Sequence, residues 1–241
     1  MKTQYLVTGA LAVAIATIAA FPAHATLEFA AQFGATQFLC VDNAACDTNL
    51  TTGIIAINNQ TIGGVTVNGS IQTATGVGGP AGTQDILNTS SLSLINTLGT
   101  NVAITFAVSA TGFAGPVATW NTSGAGTWEN ATGSNVTMNW YADAANGQGA
   151  DLPTDTPGTL LTTFTKAASS IADGYSASAT GSLFLAGPFS MTEQVDGILT
   201  AGGSLINRGQ TEIFSPVPEP ASLTILGLGL VGLAGLKRKW R

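Results

Sequence analysis

Val102, Ile104, Phe106 and Val108 alternate with Ala103, Thr105, Ala107 and Ser109. A period of two is the signature of a half-buried β-strand, because successive side chains point to opposite faces of a sheet. Val136, Met138 and Trp140 repeat the pattern, and so do Phe189, Met191 and Val195, with Glu193 out of step. Further apolar stretches at Leu92 and Leu94, 160–164, 183–185 and 205–214 read as strands. Val65-Thr66-Val67-Asn68-Gly69-Ser70-Ile71 reads as a hairpin, because Asn-Gly suits the positive φ angles of a type I′ turn. Clusters of Gly, Asn and Pro at 76–82, 112–116, 121–126, 146–149 and 153–158 separate the segments. Many short strands joined by such turns predict an all-β chain folded as an antiparallel β-sandwich or a jelly roll. Only 165–172 is ambiguous with helix, and 26–61 shows no clear period.

Charge narrows the function. Charged residues make up 8% of the chain, against about 25% in ordinary soluble domains. Between positions 26 and 220 only Lys166 and Arg208 are basic, against all thirteen acidic residues, a net of −11. Such a surface repels phosphate backbones, so nucleic acid is not an expected partner. His24 is the only histidine and lies in the N-terminal apolar segment. Without it, the remainder lacks Ser-His-Asp and Cys-His pairs, imidazole-ligated zinc and HExxH chemistry.

Both ends carry addressing features. Residues 1–25 combine Lys2, an apolar stretch over 6–20 and the small residues Ala23 and Ala25. This is a secretory signal, with cleavage expected between Ala25 and Thr26. At the other end, 221–236 is free of charge and is followed by Lys237, Arg238, Lys239, Trp240 and Arg241. As a helix, sixteen residues span roughly 24 Å, marginal for a bilayer core of about 30 Å but feasible with basic side chains snorkelling outward. The positive cluster belongs on the cytoplasmic side, which leaves the bulk of the chain outside. The expected organisation is a signal helix over 1–25, an exported β-rich domain over 26–214 and a C-terminal segment over 215–241.

Ahead of that span stands Val217-Pro218-Glu219-Pro220, and within it Gly227, Gly229, Gly232 and Gly235 alternate with Leu, Val and Ala. A Pro-Glu-Pro motif, a Gly/Leu-rich span and a basic cluster, in this order, resemble the PEP-CTERM sorting signal of Gram-negative bacteria. The resemblance implies processing by an exosortase, a membrane protease-transpeptidase, near Pro218-Glu219-Pro220. It also implies passage through the inner membrane to the surface or extracellular matrix of a cell that makes exopolysaccharide. The same tail is sometimes labelled an ice-binding protein C-terminal domain, a label that describes the tag alone. Gly227-x-Gly229-x-x-Gly232 matches the dinucleotide fingerprint by letter, but no strand precedes it and no acidic residue follows. Its glycines read as small residues of a membrane helix.

Three features of the middle remain. Cys40 and Cys46 are expected to form a disulfide once exported, adding about 2 kcal/mol by closing a short loop. Asp143, Asn146 and Asp151, with Asp155, place oxygen ligands among glycines. They read as turn chemistry, with calcium as the weaker alternative and no other cofactor expected. Trp120, Trp128, Trp140 and Tyr141 lie near Glu129 and Asp143. These rings are either core or a platform for stacking on sugars. Trp140 shares a strand face with Val136 and Met138 and is expected inside. Trp120 and Trp128 flank the segment 121–127 and are the candidate sugar contacts. Thirteen acids offer many carboxylate pairs, so a glycosidase pair is not distinguished and no enzyme is expected. The sequence therefore reads as an exported structural or adhesive protein of the cell surface or biofilm matrix. The alternative is a carbohydrate-binding module of that matrix.

Overall fold

A computed structural model describes residues 26–75 and 84–216. The expected signal over 1–25 and the sorting segment from Val217 to Arg241 lie outside the described residues. The described chain forms twelve strands: β1 (Leu27–Phe33), β2 (Thr36–Val41), β3 (Ile54–Ile62), β4 (Val65–Ala74), β5 (Gln84–Asn96), β6 (Val102–Phe113), β7 (Val117–Glu129), β8 (Asn135–Asp143), β9 (Thr159–Ala167), β10 (Asp173–Leu185), β11 (Phe189–Leu199) and β12 (Ser204–Phe214). No described helix is long and apolar enough to cross a membrane.

Two six-stranded antiparallel sheets result, as expected for a sandwich. Sheet A runs β2-β1-β6-β11-β8-β9 and sheet B runs β10-β7-β12-β5-β4-β3. Alternation decides which side chains meet between them. Ile104, Phe106 and Val108 of β6 and Val136, Met138 and Trp140 of β8 are buried, as are Leu92 and Leu94 of β5 and Leu205 and Ile213 of β12. Together with Phe29, Phe33, Phe113 and Phe189 they form one continuous core. The region 26–61, without a clear period in the sequence, supplies β1, β2 and β3. Its β1 is buried on both faces, so no alternation marks it. Segment 165–172 is the end of β9 and a turn. Cys40 of β2 is bonded to Cys46 in the following loop, with Cα atoms 5.7 Å apart.

The hairpin expected at Asn68-Gly69 is a correction. β4 runs straight through both residues, and the reversal lies at Gly63-Gly64, with φ of 54° and 82°. Gly69 is needed for another reason: a Cβ there would run into the backbone of Ser91 and Leu92 on β5. The break expected over 121–126 is likewise absent, since β7 passes through it unbroken. On β7 the small residues make room. A Cβ on Gly124 would press within 2.8 Å of Met138 Sδ and 3.0 Å of the Trp140 ring, and one on Gly126 would collide with the Tyr175 ring.

Because β7 is continuous, Trp128 stays on the same face as Gly124 and Gly126, and it is buried at 1% exposure. Its ring lies 4.9 Å from that of Tyr175. Trp128 as an exposed sugar contact is therefore corrected to a core residue, alongside the expected core residue Trp140. Trp128→Ala and Trp140→Ala should each cost about 3–5 kcal/mol in chemical denaturation. Trp120→Ala, at a half-buried site, should cost clearly less. A near-silent Trp128→Ala would contradict this packing.

Candidate functional site

Glu193 provides the most unusual chemistry of the core. The position that breaks the apolar alternation of β11 nevertheless points inward and is fully buried, with Asn207, Thr89 and Thr211 also buried. The Thr89 hydroxyl lies 3.4 Å from Glu193 Oε1 and accepts a hydrogen bond from Gly209 N at 2.6 Å. The Tyr175 hydroxyl donates to Asn207 Oδ1. A Cβ on Gly209 would overlap the Glu193 carboxyl, so the pocket exists because position 209 is glycine. Burial pushes the Glu193 carboxyl up to about 8, against the smaller opposing pull of hydrogen bonds from Thr89 and Asn207. Burial likewise raises the Tyr175 phenol, with the neighbouring Glu193 adding to it. The cluster is enclosed between the sheets, which makes it a structural polar core rather than a place where a ligand lands.

Part of the outer face of sheet A, around Ala30, Ala107, Ser109, Thr192 and Gln194, is closed by the β8–β9 connection over 144–158. Gly149 N donates to Ser109 Oγ at 3.0 Å, Gln194 Nε2 to Pro153 O at 3.1 Å and Gly112 N to Asn146 Oδ1 at 2.8 Å. Ala30, Ala107 and Ala150 pack as a small apolar cluster beneath it. Gly149 seats the connection against Ser109 and Thr192, where a Cβ would come within 3.0 Å and 2.7 Å of their hydroxyls. The calcium candidates serve this loop. Asp143 accepts from Ala145 N at 3.1 Å and Gly147 N at 2.8 Å, and Asn146 is engaged with Gly112. Asp151 lies near Glu28, whose carboxyl is raised first by burial and then by Asp151. Among the described residues no group of three or more His, Cys, Asp or Glu side chains converges as a metal site.

Sheet B leaves its outer face open. Three depressions follow one another along it. The first contains Thr127, Glu129, Ser93, Ile95 and Ile206; the second Asn88, Ser90, Ser123, Ser176, Arg208 and Gln210; the third Thr119, Asn121, Thr180, Ser182 and Phe214. Strand β7 runs through all three, and its alternation places Thr119, Asn121, Ser123, Ala125, Thr127 and Glu129 outward. Most of these side chains are short hydroxyls and amides. Arg208 is exposed at the centre of the face. The one ion pair among the described residues joins Lys166 and Asp173 at 3.6 Å, and the Arg208 guanidinium makes no hydrogen bond or ion pair among them. Glu212 is engaged by Asn121 Nδ2 at 3.2 Å and Gln210 Nε2 at 2.7 Å.

Trp120 reaches the third depression from the inner side of β7. Its indole lies across Gly181, where a Cβ would collide with the ring. It is half-buried, whereas Trp128 and Trp140 are each 1% exposed. The open face itself was missed by the sequence reading. Its signal is the polar half of the alternation in β5, β7, β10 and β12, which marks only the side away from the core.

A family model for the PEP-CTERM protein-sorting motif matches residues 216–239. The chain therefore carries this sorting motif, which implies export to the envelope of a Gram-negative bacterium and processing by an exosortase. No curated protein matches the chain. Among solved structures it is similar to TmCBM61, determined in complex with β-1,4-galactotriose, at 8% identity and a TM-score of 0.31 over 50% of this chain and 69% of that one. A carbohydrate-binding module from Cellvibrio mixtus lichenase 5A, in complex with cellotriose, matches at 14% identity and a TM-score of 0.23 over 58% and 83%. The K1 cleaved adhesin domain of Lys-gingipain from Porphyromonas gingivalis W83 matches at 11% and 0.27 over 63% and 83%. Likenesses this low carry no argument about ligand or activity.

The raised Glu193 carboxyl sets a pH dependence. The unfolded chain ionises this group near its ordinary value of 4.5 and the folded chain only near 8. Between those values the folded state holds the proton that the unfolded state has lost, so stability falls as pH rises and levels off above about 8. The full slope of one such group is roughly 1.4 kcal/mol per pH unit. Glu28 and Asp196, both raised by burial, act in the same direction. Denaturation measured across this window should show the decline, and Glu193→Gln should flatten most of it. Stability that rises toward pH 8 would contradict a buried protonated Glu193.

Proposed function

We propose that the domain is a structural and adhesive component of the extracellular matrix that holds polysaccharide against the outer face of sheet B. The supporting observation is the asymmetry of the two faces: the outer side of sheet A lies in part under its own loop, whereas sheet B offers a longer polar surface with Arg208, unpaired among the described residues, at its centre. Hydroxyl and amide side chains supply both donors and acceptors, as the hydroxyls of sugars require. A shallow polar surface makes weak individual contacts. A polymer presents its units repeatedly, and repetition along chain and surface turns weak contacts into firm retention. The sorting motif delivers the domain to the envelope, where such polymers lie. Arg208 adds a charge-assisted donor to this otherwise neutral set of hydroxyls and amides.

Affinity electrophoresis through a gel containing the producer's own exopolysaccharide tests this reading. The exported protein should be retarded, and the double variant Arg208→Ala/Gln210→Ala should lose most of the retardation while melting like the wild type. Wild-type mobility unchanged by the polysaccharide would remove the proposal and leave a matrix protein without a glycan partner. Retardation equal in wild type and variant would place the contact elsewhere on the molecule.

A further inference from the structure

Each sheet ends in two strands whose outer backbone groups have no strand partner among the described residues: β2 and β9 in sheet A, β10 and β3 in sheet B. Such edges invite pairing with another chain, and proteins usually blunt them with short strands, bulges or charge. Three of the four are blunted. β2 is only six residues long and is tied through Cys40 to the next loop. β3 is broken by a register shift between Ile57 and Gln60, with Asn59 at a φ of 50°. β9 carries Lys166.

β10 has such devices only at its two ends, the charge of Asp173 at the start and a register shift between Ser182 and Leu185 at the finish. It is thirteen residues long and has no charge and no proline from Gly174 to Leu185. It keeps continuous register with β7 from Asp173 to Ser182, so no bulge interrupts the edge over that length. Ser176, Ser178 and Thr180 point outward and are exposed, and Phe184 near its end is 70% exposed. The acids that would repel a second copy lie largely elsewhere: Glu28, Asp143, Asp151, Asp155 and Asp196 belong to the outer side of sheet A or its covering loop.

We infer that β10 is a pairing edge for a second copy of this chain. Two copies related by a two-fold axis would join β10 to β10 antiparallel and fuse two six-stranded sheets into one. Centred on Ala179, this pairing sets Ser178 opposite Thr180 and Asp173 opposite Leu185. It also sets Phe184 opposite Gly174, where the glycine leaves room for the ring. No like charges meet, and every outward pair is small or complementary in size. The occupant is a copy of the same strand because the sequence is self-complementary about its own midpoint. The inference stands apart from the glycan reading, since β10 pairs through its edge and the polysaccharide contact uses the face.

Sedimentation of the full chain in detergent, over a wide concentration range, tests the edge. The wild type should double in mass as concentration rises. Ser178→Lys/Thr180→Lys changes two exposed side chains and sets the introduced lysines against each other across the axis. It should move the midpoint up by about tenfold or more. Ser178→Glu/Thr180→Glu should do the same, and an equimolar mixture of the two variants should associate again. A wild type that stays monomeric throughout overturns the inference. So does a midpoint unmoved in both variants, or a mixture that fails to recover, since either places the contact away from β10.

Discussion

The sandwich depends on how closely its inner faces approach where sheet B gives up side chains. Gly124 lies under Met138 and Trp140, Gly126 receives the Tyr175 ring, and Gly209 leaves the space that the Glu193 carboxyl fills. Interiors pack near crystal density, so each of these large groups needs a matching absence opposite or beside it. The exchange has a consequence for Glu193. A carboxyl set so deep is held in its protonated form beside the Thr89 hydroxyl, because an unpaired buried charge would be far more costly.

From that packing follows the division of the two outer surfaces. The core is consumed by one face of each sheet, leaving two outer faces with different fates. Sheet A is covered in part by the 144–158 connection, pinned through Ser109, Gln194 and Gly112, and it carries much of the acidic charge. Sheet B keeps a long polar surface with Arg208 unpaired among the described residues, and it ends in β10, which is uncharged from Gly174 to Leu185. The proposed matrix role rests on this difference, with the outer face of sheet B holding polymer and the β10 edge holding a second copy.

Much of this was legible in the sequence because alternation is a local signal. The strands at 102–108, 136–140 and 205–214 are read directly, as are the two-sheet class and the pairing of Cys40 with Cys46. The misreadings share a cause. Asn68-Gly69, Gly124 and Gly126 look like turn chemistry, whereas their glycines answer to neighbours distant in sequence: Ser91 and Leu92, Met138 and Trp140, and Tyr175. Glycine in a strand can mark a turn, a bulge or a close approach, and only the tertiary partner tells them apart. Trp128 was misplaced for the same reason, since a turn at 121–127 would have freed it from the strand phase. Glu193 shows the converse. An acid at an inward position contradicts local pattern, and its meaning appears only with the cavity above Gly209. The open face of sheet B escaped notice because it is written in the polar half of four alternating strands, which looks the same whether or not a loop covers it.

The central claim is that contact with the matrix runs over sheet B and not over the loop-covered side of sheet A. Backbone amide shifts of isotopically labelled protein, followed as fragments of the producer's exopolysaccharide are added, test it most directly. The account predicts changes that cluster at Asn88, Ser123, Ser176, Arg208 and Gln210, with Gly149, Ala150 and Gln194 unmoved. Changes confined to the 144–158 loop and its neighbours on sheet A would contradict it.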